Sequence, residues 1–195
     1  MIFSMRHYLR SARPGSLNYA LVDPACRLPV SLCSVSPLQW RRVGNQISAQ
    51  FGVPIARTWD VSRVYSCDAA PPNAISYLLA RVRHDLRRSR VPVDLLTTAV
   101  DPNLGFTGAS YRAANWQQWL TIQPRPYLYL DGRYVSPRQL RQQFGSAKLS
   151  ELQATHPGQR FEQSWVRLRD SLIFCWRLRG ETEVVPPDQQ RLLHR

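Results

Sequence analysis

The amino-acid sequence predicts an α/β fold built on a mixed β-sheet flanked by helices. Short apolar runs bounded by Pro, Asp or Gly are typical of strands, and one strongly periodic helix between two such runs indicates a βαβ unit. An Asp-Gly dipeptide later in the chain indicates a hairpin. The 195 residues, 44% of them hydrophobic, suffice for one substantial core. We expect one domain at residues 17–180, between a truncated basic segment at 1–16 and a polar tail at 181–195 that frays.

The first third of the chain predicts three strands. The apolar residues 17–22 and 30–35 predict two strands separated by a turn. Residues 36–52 are polar with scattered apolar positions, which predicts a loop containing at most one helical turn. Residues 55–66 predict the third strand. Its period-two alternation places four side chains on one face, namely Trp59, Val61, Arg63 and Tyr65.

The clearest helix follows Pro71-Pro72. Asn73 is a favoured N-cap residue, and the helical pattern extends to about Arg88. Apolar side chains recur at helical spacing at Ile75, Leu78, Leu79, Val82 and Leu86. The opposite face carries a basic stripe made of Arg81, His84, Arg87 and Arg88. This stripe is either a solvated face, which is the commoner case, or a surface for a polyanion.

Two predicted elements follow the long helix directly. Residues 93–100 form an apolar run that ends at Asp101-Pro102, which predicts a buried strand and closes the βαβ unit. A glycine-bearing loop follows, and residues 109–116 predict a short helix.

The last third of the chain predicts a hairpin, a helix and a final strand. Asp131-Gly132 is the strongest short hairpin signal in the sequence. Ser136-Pro137 predicts the start of a helix that ends at Gly145. Periodicity is weak over residues 146–169, and residues 172–178 predict the last strand.

The charge of the chain indicates a polyanionic partner. Lys and Arg total 26 against 13 Asp and Glu, a net charge of +13, and Lys148 is the only lysine. Arginine suits phosphates and base edges, although coding bias also enriches it, so the amount of charge is the stronger evidence. We expect nucleic acid as the partner.

Membrane, secretory and zinc-binding classes find no support in the sequence. No apolar run approaches the ~18 residues of a membrane span, and no apolar signal-peptide region follows the first arginines. The four cysteines lack metal-ligand spacing, which predicts free, mostly buried thiols. The sequence therefore predicts a soluble cytoplasmic protein without structural zinc.

Asp101 and Tyr111 are the first candidates for catalysis. Ligands collect at the carboxyl ends of strands in α/β sheets, and Asp101 stands where the best predicted strand ends. Tyr111 follows on the short helix and can face the same crevice, so the two side chains offer an acceptor and a phenolic donor. The alternative is structural, with Asp101 capping the loop and Tyr111 in the core.

Arg63 and the start of the long helix are further candidates. An arginine on an apolar strand requires a carboxylate, phosphate or substrate as its partner, and Asp101 is a plausible structural one. Free backbone N–H groups after Asn73, with Ser76 in the first turn, favour an anion, although these residues are also ordinary helix-cap residues. The preceding segment, 68–73, is stiff and lacks the glycines of an acyl-coenzyme A cradle, so acetyl-CoA is not expected.

The segment VDPNLGFTGASYRAANW at residues 100–116 resembles the conserved block of Mom-like DNA modification proteins. The helix entry at 72–81, the strand at 62–64 and an upstream His7-Tyr8 are similar to that family in the same order. The resemblance covers roughly residues 5–145 and leaves the C-terminal third outside it.

This resemblance implies an acetyltransferase-like (GNAT) fold that transfers a carbamoylmethyl group to N6 of adenine in double-stranded DNA, against restriction. It implies that Asp101 and Tyr111 are the essential acid and tyrosine, that Arg63 is the strand arginine and that Ser76 is the helix serine. His7-Tyr8 matches a pair linked to iron in the family; a surface histidine is the alternative. The co-substrate and the oligomeric state stay open.

DNA contacts are expected from the arginines of the basic stripe and from residues near the implied site, namely Arg81, Arg87, Arg88, Arg112 and Trp116. A flipped adenine could stack on Trp116, Trp119 or Tyr65, although buried aromatic residues usually serve the core. Two other functions stay open. One is an N-acyltransferase that acts on a small amine, and the other is a non-catalytic DNA-binding or defence protein.

Overall fold

The computed structural model describes residues 15–180 and the backbone of residues 190–192. In chain order the strands are β1 (Leu17–Val22), β2 (Pro29–Pro37), β3 (Thr58–Ser66), β4 (Leu95–Val100), β5 (Gln117–Ile122), β6 (Leu128–Leu130), β7 (Arg133–Val135), β8 (Phe161–Gln163), β9 (Ser171–Arg177) and β10 (Gln190–Leu192). The helices are α1 (Arg41–Phe51), α2 (Ala74–Arg88), α3 (Ala109–Ala113), α4 (Pro137–Phe144) and α5 (Leu149–Thr155). The chain forms two compact units, and the second contains residues 123–170.

The first unit is built on a seven-stranded sheet in the order β1-β2-β3-β4-β9-β5-β10. Strands β3 and β4 are parallel, as are β5 and β10, whereas the other neighbouring strands are antiparallel. This mixed sheet confirms the predicted fold class. The predicted βαβ unit is also present, because α2 connects the parallel strands β3 and β4.

The end of the chain differs from the prediction. Strand β9 was expected to be the last, but β10 follows it and pairs with β5. Residues 190–192 of the predicted fraying tail therefore belong to the sheet. Three residues, Gln-Arg-Leu, are too short a run for a strand signal. The other residues of the tail lie outside the described part of the chain, as do residues 1–14.

Helices cover both faces of the sheet. On one face, Val43 and Ile47 of α1 pack with Leu95 of β4. On the other face, Leu79 of α2 packs with Leu96. Leu95 and Leu96 point to opposite faces because side chains alternate along a strand, so each face has its own core.

Helix α1 corrects the loop predicted at residues 36–52. Val43, Ile47 and Phe51 are spaced four residues apart, which is the signal that the prediction missed. Gly44 lies against Ile55, where an added Cβ would be 3.1 Å from the side chain. The helix therefore approaches Ile55 closely at this glycine.

A β-bulge in β3 changes the side chains that face the core. Ser34 of β2 pairs with Arg63, and Val35 pairs with Val61, which leaves Ser62 as the extra residue. Such a bulge interrupts the alternation of side chains. Val64, and not Arg63, therefore joins Trp59 and Val61 in the core, so the predicted single face ends at the bulge.

The second unit contains the predicted hairpin and helix. Asp131 and Gly132 both have positive φ, 51° and 76°, as a two-residue hairpin turn requires. Helix α4 begins with a reciprocal capping box between Ser136 and Gln139 and ends at Gly145. Helix α5 and strand β8 occupy the segment of weak periodicity, where elements of seven and three residues are too short to show a pattern.

No disulfide joins the four cysteines, all of which lie among the described residues, and Cys33 and Cys175 are the buried ones. Burial raises the pKa of the Cys33 thiol to about 12. Among residues 15–180, no helix is long and apolar enough to cross a membrane.

Candidate active site

A cavity of about 530 Å³ opens where β3 and β4 separate. The parallel pairing joins Thr58–Asp60 to Leu95–Thr97 and ends there, although both strands continue. Past this point β3 still pairs with β2, and β4 still pairs with β9, so each strand keeps one bonded edge. The cavity is lined by the separated halves of the two strands and by the loop that leads into α3.

Asp101 lines this cavity at the end of β4. Its Oδ1 accepts hydrogen bonds from the backbone N–H of Asn103 at 2.9 Å and from the Asn103 side-chain amide at 2.8 Å. The carboxylate therefore caps the short 3₁₀ turn Pro102–Leu104, as the structural alternative expected. Since both bonds end on Oδ1, the cap also fixes the orientation of the carboxylate in the cavity.

Tyr111 lines the same cavity from α3. Its ring stacks on Phe174 with centroids 5.7 Å apart and meets the edge of Trp116 at 5.4 Å. Its phenol oxygen is 3.2 Å from Thr98 Oγ1, and that hydroxyl is also 3.1 Å from the carbonyl oxygen of Val61. The ring of Tyr111 thus packs against the core, as the structural alternative expected, and its hydroxyl lies beside Thr98, another residue of the cavity lining.

Arg63 also lines the cavity, beside the bulge in β3. Its Nη1 donates to the carbonyl oxygen of Ser62 at 2.5 Å. The structure therefore brings together three of the four residues expected to be catalytic, Arg63, Asp101 and Tyr111. Thr98 was not predicted as a site residue. A polar residue within an apolar strand is nevertheless a signal of a polar contact such as the one with the Tyr111 hydroxyl.

Ser76 and Asn73 line a neighbouring cavity of about 290 Å³. Ser66, Ile75, Ala109 and Ser110 line both cavities. Asn73 occupies the N-cap position with a φ of 63°, but its side chain makes no cap hydrogen bond, which corrects the predicted cap. Its carbonyl oxygen instead accepts from Ser76 Oγ at 2.9 Å.

Gly108 shapes the wall between the cavity and the core. Its φ is +76°, and an added Cβ would lie 2.6 Å from two ring atoms of Phe174. The glycine is therefore required both by the backbone conformation and by the close approach of the ring.

Arg112 approaches the same ring. It donates a hydrogen bond to the carbonyl oxygen of Thr107, and its guanidinium carbon is 5.3 Å from the Phe174 ring centroid.

The arginines expected to contact DNA are exposed, namely Arg81, Arg87, Arg88 and Arg112. Arg87 also donates from Nε to the carbonyl oxygen of Leu178 at 3.0 Å. Arg83, which was not singled out, donates to the carbonyl oxygen of Ala114 at 2.7 Å and lies 3.6 Å from the centroid of the Trp176 ring. Burial and the nearby charge of Arg87 lower the pKa of Arg83.

The expected DNA contact at Trp116 is wrong. Trp116 is 3% exposed and packs edge to face with Tyr111, so its face is not available to a base. Trp119 is 2% exposed and stacks on Phe51. Core packing therefore holds for both tryptophans, whereas Tyr65 is half-buried and lines the larger cavity.

The expected iron-linked pair, His7-Tyr8, lies outside the described residues. Within the part of the chain that the structure describes, no three His, Cys, Asp or Glu side chains are grouped so that they could hold a metal ion.

Solved structures similar to this chain include acetyltransferases. A candidate phosphinothricin N-acetyltransferase has a TM-score of 0.45 at 13% identity, with 86% of this chain and 72% of that chain covered. A candidate acetyltransferase from Salmonella typhimurium, solved with its cofactor acetyl-CoA, has a TM-score of 0.42 at 13% identity, with coverage of 83% and 63%. The condensation domain of Ebony, in complex with beta-alanyl-dopamine, has a TM-score of 0.45 at 9% identity, with coverage of 82% and 71%.

No curated protein matches the sequence. The model of the Mom protein family matches residues 37–175, which is more than half of the chain. The match spans β3, α2, β4 and α3, the elements that surround the cavity. It also includes each of the residues placed in the cavity, from Val61 to Tyr111. The chain belongs to the Mom protein family.

Proposed function

We propose that this protein is a DNA-modifying group transferase that alkylates the N6 amino group of adenine in double-stranded DNA. The observation that carries the proposal is the convergence of Arg63, Asp101 and Tyr111 on one cavity, within the region that matches the Mom family. The carbamoylmethyl group implied by the resemblance is the group we propose to be transferred. The net charge of +13 supports DNA as the substrate.

Asp101 is the proposed proton acceptor. The lone pair of adenine N6 is delocalised into the ring, so N6 attacks only if its proton is accepted as the new bond forms. A carboxylate whose Oδ1 is held by two donors from Asn103 has a fixed orientation and can face the amino group without rearrangement. In this step the N6–carbon bond forms and the N6 proton passes to Asp101.

Tyr111 and Arg63 are proposed to act on the donor of the group. As the bond between the transferred carbon and its leaving group breaks, negative charge develops on the leaving group. The Tyr111 hydroxyl, positioned by Thr98, would donate to that charge, and Arg63 would hold a carboxylate or phosphate of the donor. Ser76 and Asn73 would hold another part of the same co-substrate in the neighbouring cavity.

The test is mass spectrometry of nucleosides from plasmid DNA of cells that express the chain, compared with Asp101→Asn. The amide keeps an oxygen for the N–H of Asn103 but cannot accept a proton, so the variant separates catalysis from the cap. We expect a modified adenine nucleoside with the parent chain and none with Asp101→Asn. The matched control is Glu162→Gln, a half-buried carboxylate paired with Arg160 in the second unit.

Each alternative function gives a different result. An N-acyltransferase would leave the nucleosides unmodified and would bind an acyl-coenzyme A thioester in calorimetry. If the protein is a non-catalytic DNA-binding protein, both the parent and Asp101→Asn would leave the nucleosides unmodified. The two proteins would also bind duplex DNA equally. The proposal would be overturned if the nucleosides stay unmodified both in cells that express the parent chain and in plasmid DNA incubated with the parent chain and cell lysate as the source of the donor.

A further inference from the structure

The second unit carries a tryptophan that the structure leaves almost entirely in solvent. Trp165 is 91% exposed, and the adjacent Val166 is 74% exposed. By contrast, Trp116 and Trp119 are buried. A large aromatic side chain in water gives up the stabilisation that burial would provide, so two adjacent exposed apolar residues are a candidate docking surface when a second feature indicates the partner.

Hydrogen bonds fix the position from which Trp165 projects. Ser164 donates its backbone N–H to the carbonyl oxygen of Tyr127 at 2.8 Å. The Ser164 hydroxyl in turn accepts from the backbone N–H of Tyr127 at 2.9 Å. Gln163, the last residue of β8, is paired with Leu128 of β6. The indole therefore follows directly after a hydrogen-bonded edge of the small sheet that contains β6 and β8.

The second unit, which carries Trp165, contains more basic than acidic residues. Residues 123–170 contain eight Arg and Lys against four Asp and Glu. Arg167 is exposed two residues after the tryptophan. Gln163, two residues before the tryptophan, lines a cavity of about 380 Å³. Three basic side chains also line that cavity, namely Arg125, Arg141 and Lys148. Positive charge beside an exposed aromatic face is complementary to nucleic acid, which offers phosphates and stacked bases together.

We propose that residues 164–167 form a DNA-docking segment in which Trp165 stacks against the bases and Arg167 contacts a phosphate. This inference rests on the proposed function, because it takes duplex DNA as the substrate. An aromatic or apolar wedge that enters a base step weakens the stacking there.

The test measures binding of the full-length chain to a fluorescein-labelled duplex by anisotropy, on an intact duplex and on one with a single abasic site. We expect Trp165→Ala to weaken binding by about tenfold, and Trp165→Phe to weaken it less. We expect the parent chain, but not Trp165→Ala, to prefer the abasic duplex. Leu28→Ala is the control, because it removes another exposed apolar side chain, 62% exposed, from the first unit.

Salt dependence separates the two roles in the segment. Arg167→Ala should reduce the slope of log K against log salt by about one, whereas Trp165→Ala should leave the slope unchanged. The melting temperature of Trp165→Ala should equal that of the parent, because the removed side chain contacts little of the fold. A fall in melting temperature together with weaker binding would assign the residue a structural role and overturn the proposal.

Two further outcomes would overturn the inference. Affinities of Trp165→Ala within about twofold of the parent on both duplexes would exclude stacking. A shift from dimer to monomer in sedimentation of Trp165→Ala, with DNA affinity unchanged, would make the partner a second copy of the chain. Failure of the proposed function is distinguishable from failure of this inference. If the proposed function fails, the parent chain itself either binds neither duplex or leaves adenine unmodified.

Discussion

Replacement of Gly108 by alanine should destabilise the protein and also disturb the candidate site. The φ of +76° costs alanine about 1–2 kcal/mol relative to glycine. The new Cβ would also lie 2.6 Å from the Phe174 ring, which is fully buried and cannot turn away freely. Overpacking of this kind costs about 1–3 kcal/mol, so the two contributions together are about 2–5 kcal/mol.

Gly105 provides the matched control for this substitution. Its φ is +82°, but an added Cβ would have nothing within 4 Å, so Gly105→Ala carries the backbone cost alone. Urea denaturation followed by circular dichroism gives the free energy of unfolding of each variant. Gly108→Ala should therefore lose about 1–3 kcal/mol more than Gly105→Ala. Equal losses in the two variants would refute the proposed clash with Phe174.

A double-mutant cycle identifies the clash directly. Phe174→Leu removes the two ring atoms that the new Cβ would meet, so in that background Gly108→Ala should cost only the backbone contribution. In the otherwise unchanged chain, Gly108→Ala should also abolish adenine modification. The reason is that Phe174 stacks on Tyr111, so any shift of the Phe174 ring moves the phenol. Retention of full modification by a correctly folded Gly108→Ala would show that the Tyr111 hydroxyl need not be held in place.

Three other predictions concern thiol reactivity, the buried tryptophan and the basic helix face. Since burial raises the pKa of Cys33 to about 12, its thiol should stay protonated and unreactive to a disulfide reagent at pH 8, whereas the exposed Cys26 should react at once. Trp116→Phe should lower the free energy of unfolding but leave the DNA dissociation constant unchanged, and a weaker complex at unchanged stability would contradict its assignment to the core. Arg81→Ala and Arg88→Ala should each reduce the salt slope of DNA binding by about one, measured by anisotropy, and an unchanged slope would make this face merely solvated.

Strong local signals made much of the fold predictable. The periodic apolar face of α2, the Asp131-Gly132 turn and the capping signals around α4 each specify an element without long-range information. Asp101 and Tyr111 were also placed correctly in one cavity, because the end of a strand and the next helix meet at the same edge of the sheet.

The features that were missed depend on tertiary contacts. Helix α1 is polar on average and is held by Val43 and Ile47 against the sheet, and β10 is paired with the outer edge of β5. The bulge at Ser62 depends on the partner strand, so period-two alternation could not reveal it. Trp116 is buried by packing against Tyr111, which no spacing in the sequence indicates.

The placement of Tyr111 has a consequence for how such a site can change over time. Its ring stacks with Phe174 inside the core, and its hydroxyl meets Thr98 in the lining of the cavity. A substitution that alters the chemistry at this position therefore also removes part of the packing that keeps the domain folded. New specificity is easier to reach through Tyr65 or Thr107, which line the cavity without belonging to the buried core. Diversification of this protein should consequently accumulate at the rim of the cleft, while the phenol and the aromatic residues behind it are inherited together.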